Sequence, residues 1–273
     1  MRDDFCKDML EALLELEGIE EIRKDWGYYN YDNISIPRVT HILQQCDNQE
    51  GLIQWAANVG RKKYDYFRQR ALDIGTITHA AIDDYIVNHL HDPFYRIDYD
   101  SYYQYDPSYK QSIDTAFNNF KIWLDNMEKL SGHELEVIGV EIPVTCPWFG
   151  GTIDAIFKIG DQYYVIDFKT SKAITLSYLL QTSAYMWCIN NGYAPALPHI
   201  DGIGIIRVDK SKTIIDDLFL NYSNINQRND IDNYMNCFIS YINAYYRSKS
   251  CEFIFDNYNE LYFPGEYNYG NNK

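Results

Sequence analysis

The chain has 273 residues, 46% of them hydrophobic, which is enough for a packed core in one large domain or two small ones. Its 39 acidic and 24 basic residues give a formal net charge of −15. That argues against a general nucleic-acid coat, because phosphate binding is driven by Lys and Arg, but leaves room for an enzyme with a local basic track.

No run approaches the roughly 18 apolar residues of a membrane span. The acidic, amphipathic start lacks the basic-then-apolar pattern of a signal peptide, so a cytoplasmic protein without membrane contact is expected. Cys6, Cys46, Cys146, Cys188, Cys237 and Cys251 are scattered without a C-x-x-C pair, and are read as reduced and structural.

Asp3 to Lys24 has the spacing of an amphipathic helix, with Phe5, Met9, Leu13 and Leu16 on one side, and reads as a packing or partner helix. A Tyr/Asn-rich turn from Tyr28 to Asn33 leads into an extended piece stopped by Pro37, and a helical turn is predicted from near Thr40. His41 there reads as a polar bystander.

Gly51 to Leu90 is long and helical, punctuated at Gly60 and Gly75. Within it lies the one strongly positive block of an acidic chain, RKKYDYFRQR, in which Arg61, Lys62, Lys63, Arg68 and Arg70 face a single acid, Asp65. Such a run is either a solvated helix face or a track for a phosphate backbone, with Tyr64, Tyr66 and Phe67 available to stack on bases. The following GTITHAAIDDYI is predicted to start a helix at Gly75-Thr76 that carries His79 and Asp83 on one face. If this helix packs over the strands described next, His79 becomes a metal-ligand candidate.

Asp92 to Tyr109 is a Tyr/Asp-rich connection, and Asp106-Pro107 is an N-cap and first-turn signal for a helix ending at Ser131-Gly132. Its stripe of Phe117, Phe120, Trp123 and Leu124 belongs in a core. The period then changes to alternation: ELEVIGVEIPV reads as a strand carrying Glu141, which either faces the site of Asp154 or is a strand-edge carboxylate.

Gly150 to Tyr185 organises the rest. It reads as two strands joined by a Gly160-Asp161 turn, then a helix. Asp154 sits in the first strand. Asp167 and Lys169 sit two apart in the second, so the pleat projects both from one face. Charges placed on central strands are costly unless they pair or bind a metal. The economical reading is a divalent cation held by Asp154 and Asp167, with Lys169 beside a reacting phosphate.

The helix predicted from Thr175 to Asn190 carries Gln181 and Tyr185 one turn apart. IDGIGIIRV reads as a buried strand, Thr213 to Leu220 as another, and Asp230 to Arg247 as a closing helix before an acidic, aromatic tail. Helices first, then strand-strand-strand-helix-strand, point to one α/β domain with an N-terminal helical part folded against it.

Asp154 followed by Asp167-Phe168-Lys169 resembles the signature of the PD-(D/E)XK nuclease superfamily. GTITH, from Gly75 to His79, is similar to the helix motif of its RecB-type branch, and Gln181 to Tyr185 is similar to that branch's Gln-x-x-x-Tyr motif. PRVTHIL, from Pro37 to Leu43, resembles the start of its exonuclease domain. The pattern is shared with the RecB nuclease domain, mitochondrial genome maintenance exonucleases, phage recombination exonucleases and CRISPR-associated adaptation nucleases. Ile153 stands where the family name has Pro, and Glu141 has no certain counterpart. Cys237 and Cys251 are too far apart for the compact C-terminal Cys trio of the cluster-bearing members, so no iron–sulfur cluster is expected.

The resemblance implies a restriction-endonuclease-like central mixed sheet flanked by helices. Residues 1–132 would form the helical part that contributes His79, and 133–273 the nuclease core, the whole being one compact domain. It further implies Mg²⁺ or Mn²⁺ held by His79, Asp154, Asp167 and the main-chain carbonyl of Phe168, with Glu141 as a further candidate. Lys169 would orient a water and offset transition-state charge, Gln181 would hydrogen-bond into the site, and Tyr185, Arg61, Lys62, Lys63, Arg68 and Arg70 would bind DNA. The implied activity is a metal-dependent exonuclease on DNA ends or single strands in recombination, repair or replication, of phage type, with a recombination or replication protein as partner. A catalytically silent scaffold and a structure-specific endonuclease are the alternatives.

Overall fold

The computed structural model describes residues 10–19, 29–32, 34–46, 50–102 and 105–256. In chain order the regular elements are β1 (Tyr29–Tyr31), β2 (Ile34–Ile36), α1 (Val39–Cys46), α2 (Glu50–Val59), α3 (Arg61–Asn88) and α4 (Lys110–Ser131). There follow β3 (Leu135–Cys146), β4 (Phe149–Ile159), β5 (Gln162–Lys169), α5 (Leu176–Cys188), β6 (Gly202–Val208), β7 (Ile215–Asn221) and α6 (Ile225–Asp256). The chain divides into two compact units: Met1–Cys46 with Thr145–Gly151 and Met235–Lys273, and Asp47–Val144 with Thr152–Tyr234.

The second unit is built on a five-stranded sheet of order β3-β4-β5-β6-β7. The β4/β5 and β6/β7 pairs are antiparallel and β5/β6 is parallel, so the sheet is mixed, as expected. A parallel neighbour requires a crossover, and α5 supplies it between β5 and β6. Alternation along β5 splits its side chains. Ile166 and Phe168 join the core with Phe157, Ile206 and the α3 and α4 residues Tyr85, Phe120 and Trp123, so Val165, Asp167 and Lys169 project from the other face. Phe120 meets Phe168 edge-on at 5.6 Å, and Trp123 stacks on Phe219 at 6.2 Å while its Nε1 donates to Asp217 at 2.8 Å.

The glycines of β6 mark close approach. A Cβ on Gly202 would lie 2.3 Å from the carbonyl oxygen of Leu220, and one on Gly204 would lie 2.7 Å from both Ile166 and Phe219. Gly160, at φ +62°, makes the expected β4–β5 turn.

Several boundaries differ from expectation. Gly75 does not start a helix: α3 runs without interruption from Arg61 to Asn88. The break falls at Gly60, whose φ of +80° no L side chain adopts readily, whereas a Cβ on Gly75 would make only an ordinary contact with Thr170 Oγ1, at 3.5 Å. Asp106 caps a 3₁₀ turn, Pro107–Tyr109, by accepting the Ser108 N–H at 2.8 Å, before α4 begins. Gly132 ends α4 in the left-handed conformation, as its position predicted. The closing helix is longer than expected at both ends.

In the first unit, the expected helix over Asp3 to Lys24 falls largely outside the described residues. Within its described part Leu10 and Glu11 are helical and a 3₁₀ turn, Ala12–Glu15, follows that becomes extended at Leu16. The β1–β2 hairpin precedes α1, and the N–H of Gly150 donates to the Pro37 carbonyl at 3.0 Å. Trp148 is buried, its carbonyl accepting the Tyr246 hydroxyl at 2.8 Å. Among the described residues Cys146 and Cys188 are buried, the Cys146 thiol donating to the Phe149 carbonyl at 3.4 Å, and no helix is long and apolar enough to cross a membrane.

Gly202→Ala forces a methyl against a fixed backbone oxygen. A loss of about 1–3 kcal/mol is expected in urea unfolding, at unchanged denaturant slope; a midpoint equal to that of the parent would refute the close-approach account.

Candidate active site

The site lies at the end of the β4–β5 ladder. Regular pairing stops at Ala155 opposite Ile166. Beyond it, the N–H of Phe168 is taken by a side chain, donating to Asp154 Oδ2 at 2.7 Å. Asp167, only 2% exposed, accepts on Oδ1 from Lys169 Nζ at 2.6 Å, while its Oδ2 is buried with no hydrogen-bond partner. From α3, the His79 Nδ1 comes within 3.6 Å of Asp154 Oδ2, and its ring stands edge-on to Phe168 at 6.0 Å. Four residues predicted from 75 positions apart or more along α3 and the strand pair, or from within that pair, are therefore gathered in one place.

The protonation states follow from burial and charge. Burial pushes the Asp167 carboxyl up to about 6 against the pull of Lys169, with Asp154 adding to the rise. Asp154 is raised by burial too, opposed by Lys169 and by the Phe168 N–H. For Lys169 burial acts downward, but Asp167 and Asp154 outweigh it, so the ammonium is kept. Burial and then Lys169 bring His79 down to about 4, against Asp167 and a hydrogen bond to the Phe168 main chain. Its imidazole is neutral at neutral pH, the form that ligates metals.

Two further carboxylates belong to this neighbourhood. Asp83, one turn beyond His79 on α3, has a buried Oδ1 without a partner, and burial, then Glu141 and Asp154, push it up to about 7. Glu141 is raised by burial and by Asp154, and its backbone has a φ of +48°, uncommon for a side chain of its size. The sequence pattern noted Asp83 only as a helical neighbour of His79; its link to Glu141 is a long-range contact that no spacing rule reveals.

Gln181 and Tyr185 are buried on α5, the Gln181 Nε2 donating to the Tyr185 hydroxyl at 3.3 Å. The α5 residue that lies over the ammonium is Tyr178, whose ring centroid is 4.8 Å from Lys169 Nζ. It was missed, although its place three residues before Gln181 puts it on the same helix face.

The basic block is spread rather than continuous. Arg61 is 95% exposed at its side chain and 3.9 Å from Asp65, and Lys62 and Lys63 are exposed. At about 1.5 Å per helical residue these three lie roughly 25 Å from His79 along α3. Arg70 sits over the Tyr109 ring at 5.5 Å. Arg68 lines a cleft of about 560 Å³ that ends at His79, Phe168 and Lys169.

Among the described residues no three His, Cys, Asp or Glu side chains already form a closed ligand set. The donor chemistry nevertheless fits a hard divalent cation. Asp167 and Asp83 each keep a buried oxygen unpaired, burial raises all three of Asp83, Asp154 and Asp167, and a neutral imidazole adjoins them.

The family model of the PD-(D/E)XK nuclease superfamily matches residues 53–245, a span holding every strand of the sheet, His79, and both ends of the cleft. No curated protein sequence matches this one significantly. Among solved structures, the crystal structure of SSO0001 is similar at 11% identity and a TM-score of 0.27, over 86% of this chain and 87% of that one. With its mixed five-stranded sheet flanked by helices, of the restriction-endonuclease-like kind, and a family match over most of its length, this chain belongs to the PD-(D/E)XK nuclease superfamily.

Proposed function

We propose that this chain is a Mg²⁺- or Mn²⁺-dependent exonuclease that hydrolyses phosphodiester bonds at DNA ends or in single strands, in recombination, repair or replication. The observation that carries the reading is the buried Asp167–Lys169 pair, 2.6 Å apart, with Asp154 and a neutral His79 beside it and one Asp167 oxygen unpaired. Asp154, Asp167 and His79 would hold the metal, with the Phe168 carbonyl and Glu141 completing its surroundings. When bound there, it supplies Lewis acidity and an acidified water.

The chain's own groups do the rest. Lys169 is held as an ammonium by Asp167, and a cation in a water-poor pocket offsets charge that builds on the phosphoryl oxygens far more strongly than one in solvent. Tyr178, against the same ammonium, limits the directions in which it can point. His79 stays neutral, so it does not compete with a cation for the carboxylates. Gln181 and Tyr185 brace α5 behind the site through their mutual hydrogen bond. The exposed cations at the start of α3 are too far along the helix to touch the reacting phosphate, and serve the DNA backbone at a distance.

Lys169→Ala should lower the cleavage rate of end-labelled single-stranded and duplex DNA in Mg²⁺ or Mn²⁺ by a factor of about 10² or more, with the melting transition retained. A variant cutting at the parental rate would sink the assignment, and cutting of closed circles would replace exonuclease by endonuclease.

The carboxylates make a second expectation. Asp83 rises from an ordinary 3.8 to about 7 on folding, so the folded state binds its proton more tightly. The stability it contributes is complete below about pH 4 and is lost as pH rises through about 7. Asp83→Asn should therefore raise the melting temperature of the metal-free protein near pH 8 by a few degrees, about 2–4 °C for each kcal/mol regained, and leave it close to parental near pH 4. Equal shifts at both values would show that the carboxylate charge is not what costs stability. Mn²⁺ should raise the parental transition more near pH 8 than near pH 4.

A further inference from the structure

The cleft that ends at Lys169 has a composition unlike the rest of the chain. Its lining carries Arg68, Lys169 and Lys210 and no carboxylate, in a molecule with a net charge of −15. Its wall is aromatic. Trp55, on α2, packs against Tyr64 at 5.5 Å and Phe67 at 6.1 Å, yet is 39% exposed. Helix α2 has no buried residue at all, so this tryptophan is not there to fill a core. Lys210 lines the same cleft, and burial, Arg70 and Lys172 all oppose its charge, while only Asp209 favours it. Cations from α3, from the segment after β5 and from the β6–β7 connection thus converge on one place, an arrangement that an entering anion relieves.

We propose that this cleft binds single-stranded DNA, with an unpaired base stacked on Trp55 and a phosphate next to the scissile one held by Arg68 and Lys210. The proposal rests on the nuclease reading, which makes Lys169 the reacting end of the cleft. It goes further in naming the substrate form. An exposed indole offers stacking to a base face, and that face is free only when the base is unpaired and unstacked, as in a single strand. The neighbouring cations supply the backbone contacts that stacking alone does not.

The test is binding without cleavage. Fluorescence anisotropy in EDTA compares a labelled oligothymidylate, a duplex of the same length and an oligouridylate on the whole chain. The parent should prefer the oligothymidylate to the duplex. Trp55→Ala should weaken that binding by about tenfold or more, and Trp55→Phe should restore most of it. Lys210→Ala should reduce the slope of log affinity against log salt by about 0.7, the release expected for one single-strand phosphate contact, and Lys210→Arg should keep it. Circular dichroism and melting of each variant show whether it is folded, and Trp55, on a helix with no fully buried residue, is a lenient site for substitution.

Unchanged binding in both Ala variants, a preference for duplex, or tighter binding of oligouridylate would overturn the proposal. These outcomes separate from the fate of the nuclease reading. A parent that binds as described but leaves DNA intact in Mg²⁺ and Mn²⁺ keeps the cleft and loses the activity. One that cuts while both variants bind normally keeps the activity and loses the cleft.

Discussion

The ion pair between Asp167 and Lys169 is the constraint around which the unit carrying the sheet is arranged. Asp167 is 2% exposed and the Lys169 side chain 19%, so both have given up much of their hydration, and the 2.6 Å contact offsets only part of that loss. One ammonium also faces more than one carboxylate, since Asp154 adjoins it as well. Burial, joined at Asp167 and Asp83 by neighbouring carboxylates, raises the carboxyl groups of Asp154, Asp167 and Asp83. A site short of positive charge is unstable by itself and must be held by its surroundings. On the proposed metal-dependent reading, the same shortage is what would draw a divalent cation.

What holds it is the residue between the two charges. Phe168 is fully buried and clamped by Phe120 edge-on at 5.6 Å and by Phe157 at 6.0 Å. Because successive side chains of a strand point to opposite faces, anchoring Phe168 in the core fixes Asp167 and Lys169 on the other face. Its N–H binds Asp154, and its ring meets His79. One aromatic residue thus sets the positions of four polar ones. Preorganisation of this sort spares the site any rearrangement when charge develops on a substrate.

That logic also explains what could be read from the sequence. The Asp-x-Lys spacing was legible because a strand has a period of two, and the strands themselves because apolar alternation and the Gly160-Asp161 turn are local signals. His79 was legible only through its motif, since its approach to Asp154 spans 75 positions. Glu141 perturbs Asp83 across strand and helix, and Tyr178 and Lys210 reach the cleft from elements far apart in the chain; no local period encodes either. Gly75 misled for a related reason. A glycine in a helical pattern signals a boundary or a close approach, and Gly75 marks neither: the helix runs through it and a Cβ there would meet Thr170 at 3.5 Å, an ordinary contact. The positive block was legible as charge but not as a surface, because helical geometry spreads Arg61 to Arg70 along and around α3.

Charge distribution and binding are finally one question. Attraction to DNA at long range scales with the number of phosphates a protein neutralises and is screened within about 10 Å at ordinary salt. A chain of net charge −15 gains little from that term and is repelled by duplex wherever its acidic surface approaches. On the proposed reading affinity then comes from short-range contacts in the cleft, whose lining carries Arg68, Lys169 and Lys210 without a carboxylate and where Trp55 presents an apolar face. Stacking is nearly indifferent to salt, whereas each phosphate contact is not. A site that combines a few cations with an aromatic wall can therefore grip a strand locally while the rest of the surface declines to hold DNA, and the acidic composition that seems to argue against a nuclease becomes part of how one would let go of its product.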